Sequence, residues 1–500
     1  MTQPRPAPGP IAPISSDRRP RPSSGWIAST LVLFLAVALV PLSPGTRPAQ
    51  AAAGDERWEG LGRNGPNDAV LALTVYQDKL IVAGFFTAAG DVPVAHIAAF
   101  DGQNWTPLGA GMDGVGVYSL TIYQGDLIAG GWFDTAGGVA ASNIARWDGT
   151  SWTPIGSGTD GVVWNLHVYN GNLVAGGLFT TAGGVTAKAI AQWDGNTWSA
   201  LGGGLLPRQG YAFGVFAMGD LGPDLIAGGS FARADNIPSS NIARWDGAQW
   251  HTMAGGTNGI VYAQTFYSSR LTIGGAFTVA GGQSADRLAG WDGSAWSALG
   301  SGVSGGNDAV DALAPVDSEL ILGGVFTLAG GRPAARIASW DGTNYGPLGS
   351  GANDAVRAFC FYGSRLYVGG SFDTVGTQFS DHLARWIPPQ DAGVAGPGDG
   401  GSQPGGGGPA GSWAAASPNP FRGATRLRFH LEEASAGPVE VYDLNGRCLV
   451  GLRSSPGPAG DLLVEWDGRD ALGRDLPPGV YLARLARKNG IPPLRMIRLP

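Results

Sequence analysis

Short runs of alternating apolar and polar residues, broken by Gly, Asn and Asp, fill most of the chain from about residue 57 onward. Residues 117–156 show the unit. Val117-Tyr-Ser-Leu-Thr-Ile-Tyr123 alternates and is rich in β-formers, so it predicts a first strand. The turn Gln124-Gly125 leads into a second, Asp126-Leu-Ile-Ala-Gly-Gly131. Asn143-Ile-Ala-Arg-Trp147 predicts a third. Asp148-Gly149 predicts a hairpin, because glycine reaches the positive φ of tight primed turns. Ser151-Trp-Thr-Pro-Ile155 is the fourth strand.

The same wording recurs seven times. The aromatic before Asp-Gly falls at Phe100, Trp147, Trp193, Trp245, Trp291, Trp340 and, without Asp-Gly, Trp386, at intervals of 47, 46, 52, 46, 49 and 46 residues. A Phe after the glycine pair keeps the same beat at Phe86, Phe133, Phe179, Phe231, Phe277, Phe326 and Phe372. A period of about 40–50 residues with several strands per unit predicts an all-β, seven-bladed β-propeller with four-stranded blades. The ends support closure. An orphan fourth strand, Arg57-Trp-Glu-Gly-Leu61, precedes the first repeat, and the last repeat stops at its third strand, Leu383-Ala-Arg-Trp386. The fourth-strand aromatics are then Trp58, Trp105, Trp152, Trp198, Trp250, Trp296 and Tyr345, matching the seven of the other strands. The N-terminal strand is therefore expected to complete the last blade and remove the free edges.

The pattern changes after Trp386. Residues 387–416 hold ten glycines and several prolines and cannot build a core. They predict a tether with a reach of about 25–30 Å. Residues 417–500 return to strands: Thr425-Arg-Leu-Arg-Phe-His-Leu431, Val439-Glu-Val-Tyr442, Leu462-Leu-Val-Glu-Trp466 and Gly479-Val-Tyr-Leu-Ala-Arg-Leu485. Short strands with frequent turn signals predict a small Ig-like β-sandwich. Upstream, Arg18, Arg19 and Arg21 precede an apolar run over 26–42 and the small residues Ala49-Gln50-Ala51. This is the order of a secretory signal. The rival reading is a membrane anchor, since the run is close to the shortest span. The expected division is therefore 1–53 signal or anchor, 54–386 propeller, 387–416 linker and 417–500 sandwich, with the body of the protein outside the cytoplasm or at the cell surface.

Composition narrows the partners. A net charge of −7 and only 14% charged residues argue against nucleic acid. The two cysteines, Cys360 and Cys448, fall in different predicted domains and are not expected to pair.

The repeat resembles kelch-type propellers, which share the glycine doublet and the fourth-strand Trp, here Gly130-Gly131 and Trp152. Its W-D-G and G-G-x-F-T-x-A-G-G wording is closer still to the propeller of the fungal cortical polarity-marker family. That resemblance implies protein or glycan binding. The enzymatic galactose-oxidase branch would need a Tyr, His and Cys copper constellation that the sequence does not offer. Residues 417–500 resemble the Ig-like domain of flagellar hook-capping proteins and the sorting domains of type IX secretion. The matching motifs are Pro418-Asn-Pro-Phe421, Val441-Tyr-Asp443, Asn445-Gly-Arg447, Trp466-Asp-Gly-Arg-Asp470, Gly473 and Gly479-Val-Tyr481. The resemblance implies export or attachment through the cell-envelope machinery.

Candidate chemistry is sparse. No H-x-x-x-H or C-x-x-C occurs. His96 and His382 share a repeat position with Asn143, Lys188, Asn241 and Arg336, which does not suit a catalytic histidine. The Asp of W-D-G reads as a turn former. The loops before strand one carry Asn67-Asp68, Asn307-Asp308 and Asn353-Asp354, or Asp113, Asp160 and Asn258 before Gly. Asp68, Asp308 and Asp354 would offer oxygens of the kind Ca²⁺ takes, and the same residues are ordinary turn vocabulary. No other cofactor is implied. One register inside strand one varies freely: Leu71, Tyr118, Trp164, Tyr262, Asp311 and Arg357, with Tyr211 or Ala212 in the fourth repeat and the longer loop 205–211 beside it. Aromatics with an acid and an Arg among apolar neighbours suit a sugar or a peptide. Tyr118, Trp164, Tyr262, Asp311 and Arg357 are the expected ligand contacts, and no catalytic residue is assigned. Three functions stay open: a non-catalytic receptor, a carbohydrate-active lyase or hydrolase at the channel mouth, and a structural surface component.

Overall fold

The computed structural model describes residues 53–388, apart from 208–212, 269, 307, 317–318 and 364, together with most strands of 413–498. The expected signal segment and most of the linker lie outside the described residues. The regular elements among the described residues are all β-strands except one 3-10 turn, Asp55–Arg57. No described helix is long and apolar enough to cross a membrane.

Seven four-stranded antiparallel sheets occupy residues 58–386 among the described residues. Their first strands are Val70–Tyr76, Gly116–Tyr123, Val162–Tyr169, Gly214–Leu221, Val261–Tyr267, Val310–Val316 and Val356–Tyr362. Each first strand packs on the next, and Val356–Tyr362 packs on Val70–Tyr76, so the circuit is closed. The arrangement is consistent with a β-propeller. Trp58–Gly60 pairs with Leu383–Trp386, Trp58 opposite Trp386. The strand missing from the last repeat thus comes from the start of the chain.

The glycine doublet has a steric cause on both sides. A Cβ on Gly130 would stand 2.6 Å from Val163 Cγ1 of the next sheet, and one on Gly131 would overlap the Gly116 carbonyl oxygen. The Phe that follows is buried in every repeat. It anchors a corner repeated seven times. The residue ten or so positions later sits at positive φ, donates its N–H to the Phe carbonyl and accepts from the second glycine. These residues are His96, Asn143, Ala189, Asn241, Arg287, Arg336 and His382. Lys188 was expected at this register, and the left-handed corner belongs to Ala189 instead. Asn143 and Asn241 suit αL, and no single side chain is required there.

Neighbouring sheets are stapled by the fourth-strand aromatic. Each donates its indole N–H, or the Tyr345 hydroxyl, to a carbonyl of the preceding repeat. Examples are Trp152 to Leu108 at 2.8 Å, Trp250 to Leu201 at 2.9 Å and Trp58 to Leu348 at 3.0 Å. Each also packs on the third-strand aromatic beside it, with centroids 4.5–5.5 Å apart in the pairs Trp340–Tyr345 and Trp193–Trp198.

The closing strand carries extra bonds. The buried Asp55 accepts from Ser350 N at 2.6 Å. Gln378 clasps the outer edge of the strand, accepting from Gly60 N and donating to Trp58 O. Glu59 takes a two-pronged bond from Arg365 at 2.8 and 3.0 Å, with Arg385 at 3.4 Å.

In the C-terminal segment two four-stranded sheets share a core of Leu427, Val439, Val441, Val464, Trp466, Tyr481, Ala483 and Met496. Its first strand, Trp413–Ser417, begins inside the stretch expected to be linker. Trp-Ala-Ala-Ala-Ser has the apolar content to pair, and does so with Thr425–His430.

Two outcomes are expected. Trp58→Ala removes a fully buried ring from the closing strand and should cost about 3–5 kcal/mol, read as a lower denaturant midpoint. An unchanged midpoint would mean that this strand does not hold the ring. The hydrogen bond from Arg365, aided by its charge and that of Arg385, lowers the Glu59 pKa. A depressed acid stabilises the fold above its unfolded pKa, about 4.3, and the gain is lost as pH falls through the folded value. Glu59→Gln should therefore cost about 0.5–1 kcal/mol at neutral pH, a figure discounted for partial exposure, and nothing near pH 2. Melting curves across pH would check this.

Candidate functional site

Each of the seven first strands has a β-bulge at the same place. The ladder skips one residue between Val70 and Ala72, Val117 and Ser119, Val163 and Asn165, Val215 and Ala217, Val261 and Ala263, Val310 and Ala312, and Val356 and Ala358. A bulge releases one residue from the ladder and re-aims its side chain. The residue before it is a fully buried Val every time, and the one after is Ala, Ser or Asn. The released residues are Leu71, Tyr118, Trp164, Phe216, Tyr262, Asp311 and Arg357, all half-buried.

The variable register of the sequence is therefore the bulge register. In the fourth repeat the occupant is Phe216, not Tyr211 or Ala212, both of which lie outside the described residues. The insertion delays the strand to Gly214–Leu221, and Gly214-Val215 plays the part of Gly116-Val117. That Gly-Val echo was the available signal. Leu205 of the expected side loop is buried and pairs with Ala234.

Order around the circuit divides the ring by chemistry. Tyr118, Trp164, Phe216 and Tyr262 are consecutive. Trp164 stacks on Phe216 with centroids 4.5 Å apart and planes 15° from parallel. Phe216 meets Tyr262 at 5.5 Å and 66°. A side chain on Gly214 would overlap the Trp164 ring, so glycine there makes the stack possible. Asp311 and Arg357 follow, joined at 3.3 Å, and Arg357 also reaches Ser371. All the bulge residues except Trp164 line a cavity of about 230 Å³, which also touches Asn165 and Gln264. Asn165 Oδ1 and Gln264 Oε1 are buried acceptors without a hydrogen-bond partner, and sequence reasoning missed both.

Burial sets the electrostatics. It pushes the Tyr118 phenol up to about 12. It raises the Tyr262 phenol too, with a smaller push from Asp311. The Asp311 carboxyl is raised by burial against the pull of Arg357.

The other expected sites are not brought to this mouth. Asp68 Oδ1 and Asp354 Oδ1 accept from the next backbone N–H at 2.6 Å, and Asp308 pairs with Arg287 at 3.2 Å. Among the described residues no group of three His, Cys, Asp or Glu could hold a metal ion. Asn307 lies outside them. The loop Asn and Asp side chains are straps. Asn67, Asp113, Asp160, Asn258 and Asn353 each accept from two backbone N–H groups 20–22 residues on. The W-D-G aspartates do form turns: Asp148 Oδ1 accepts from Thr150 N and Ser151 N, and the other five repeat this. His167 and His251 pair with Asp220 and Asp246 away from the cavity. Cys360 is free and half-buried, with its thiol raised to about 12 by burial.

No protein-family model matches the sequence, and no curated protein matches it. Likeness to solved structures is distant. PorZ, an essential bacterial surface component of the type-IX secretion system of Porphyromonas gingivalis, is 14% identical with a TM-score of 0.43. The match covers 87% of this chain and 60% of PorZ. A copper-bound fungal alcohol oxidase of the AA5 family is 13% identical over 88% of this chain and 99% of its own, with a TM-score of 0.42. Dimeric latent PorU from Porphyromonas gingivalis is 18% identical over 33% of this chain and 14% of its own, with a TM-score of 0.15.

The ion pair gives the next expectation. Asp311→Asn leaves the Arg357 charge half-buried and should cost about 1–3 kcal/mol. Asp311→Leu/Arg357→Met should recover most of that, because two apolar side chains need no partner. Urea midpoints of the variants would test it, and equal losses would mean the pair is not coupled.

Proposed function

We infer that the chain is a secreted or cell-surface seven-bladed propeller that binds a protein or glycan, without catalysis, at the mouth of its channel. The kelch-like repeats form the blades. An Ig-like sandwich over 413–500 serves export or attachment to the envelope, in keeping with its hook-capping and type IX sorting resemblance. The observation that carries this reading is the bulge ring. Six of the seven equivalent bulge residues line one cavity and the seventh, Trp164, stacks on Phe216, and at this register the repeats diverge into aromatics and charges. The buried Val before the bulge and the small residue after it are packing. The residue between them is not constrained by the ladder and can be chosen for contact.

Catalysis has weaker support. A glycosidase needs two carboxylates about 5–10 Å apart. Asp311 faces Arg357, and it is the only acid lining the cavity among the described residues. The N-terminal apolar segment and the envelope-type C-terminal motifs support a working surface outside the cytoplasm.

A glycan array and a peptide library probed with the full chain test the proposal. Binding is expected in one of them, weakened about tenfold or more by Tyr118→Ala/Trp164→Ala. Near-UV circular dichroism would establish that the variant is folded. Binding that survives the double substitution, or none in either library, would overturn the assignment of the mouth as a receptor site.

A further inference from the structure

Resting on that reading of the mouth, the geometry points to a narrower ligand: the terminal, uncharged pyranose of a glycan. Charge balance is the first observation. Asp311 and Arg357 are the only charged residues lining the cavity among those described, and they neutralise each other at 3.3 Å. A ligand carboxylate would have to compete with Asp311 for Arg357 and would meet the Asp311 charge at close range. A neutral ligand meets neither cost.

Hydrogen-bond balance is the second. Asn165 Oδ1 and Gln264 Oε1 are buried acceptors with no partner, while Gln264 Nε2 is already given to Ile226 O at 3.0 Å. Asp311 adds further acceptor capacity. Leaving buried acceptors unmet is unfavourable, and both belong to side chains that line the cavity, so a turn of either amide would present its oxygen to a ligand rich in donors. A sugar ring carries several hydroxyl donors around its edge. A peptide offers one backbone N–H per residue, spaced along a strand.

Shape is the third. The aromatic residues Tyr118, Phe216 and Tyr262 line one arc of the cavity, with Tyr262 next to Asp311, and Trp164 backs Phe216. Aromatic rings with the amides of Asn165 and Gln264 and the Asp311 carboxylate beside them match a pyranose, which has an apolar C–H face and a hydroxylated rim. The cavity, about 230 Å³, lies below the roughly 300–1,000 Å³ of drug-sized sites. It accepts one ring, the end of a chain, and not a segment threaded through.

Calorimetry on the full chain tests this with methyl glycosides of glucose, galactose, mannose and N-acetylglucosamine, with methyl glucuronide as the charged match and tripeptides as the alternative. At least one neutral glycoside should bind, and the glucuronide about tenfold more weakly or worse. Asn165→Leu should weaken the neutral glycoside about tenfold without lowering the melting temperature, because Oδ1 has no partner to lose. Asp311→Asn should weaken it as well. A glucuronide that binds as tightly as the neutral sugars would overturn the inference and leave glycan binding standing. Peptide binding without sugar binding would overturn it and leave the receptor reading standing. Sugar binding unchanged in both variants would overturn the location, and no binding to any probe would overturn the inference outright.

Discussion

The circuit of seven sheets depends on one antiparallel pairing between the two ends of the repeat array. Trp58–Gly60 lies against Leu383–Trp386 and gives the last sheet its fourth strand. Without it the third strand of one sheet would be an open edge. The pairing is short, so the side chains around it carry an unusual share of the work. A buried carboxylate, a two-pronged Arg–Glu bond and a glutamine clasp all serve three residues of strand.

The same economy runs through each repeat. The glycine doublet brings the next sheet close and forms one side of the bulge. The indole N–H fixes the outer strand to the preceding repeat. Val and Ala secure the first strand on either side of the bulge. These positions are nearly invariant among the seven repeats because each has a steric or hydrogen-bonding duty. The bulge residue has none, so Leu, Tyr, Trp, Phe, Asp and Arg all occupy it. The scaffold and the candidate site are thereby separated within three consecutive residues.

This separation explains what could be read from sequence. Repeated wording marked the strands, and the aromatic count exposed Trp58 as a displaced fourth strand. The bulge register was visible as variation at a fixed place. Its fourth member was missed because an insertion moved the frame, and only Gly214-Val215 marked the true start. Lys188 for Ala189 was a similar slip of one, since the corner depends on backbone conformation and tolerates many side chains. The straps from Asn67 and its equivalents were invisible for another reason. Their acceptors meet N–H groups some twenty residues away, and local turn chemistry explains the same residue types. The orphan oxygens of Asn165 and Gln264 follow from three-dimensional packing alone, which no single-sequence pattern encodes.

The closing strand has a consequence for how the chain reaches its folded form. Trp58 and Trp386 are partners separated by almost the whole array. Each of the other sheets can assemble from one stretch of chain, but the last must wait until both ends exist. Seven similar sheets also offer Trp58–Gly60 several look-alike docking places. Glu59 favours the last sheet, the one of the seven that offers it two cations, Arg365 and Arg385; the sheet of Val261–Tyr267 offers Arg270 beside Gly290, and Arg146 and Arg244 already face Asp126 and Asp224. Ring completion is thus a late, self-checking step of high contact order. A chain cut short anywhere before residue 386 would be left with a sticky edge instead of a finished surface.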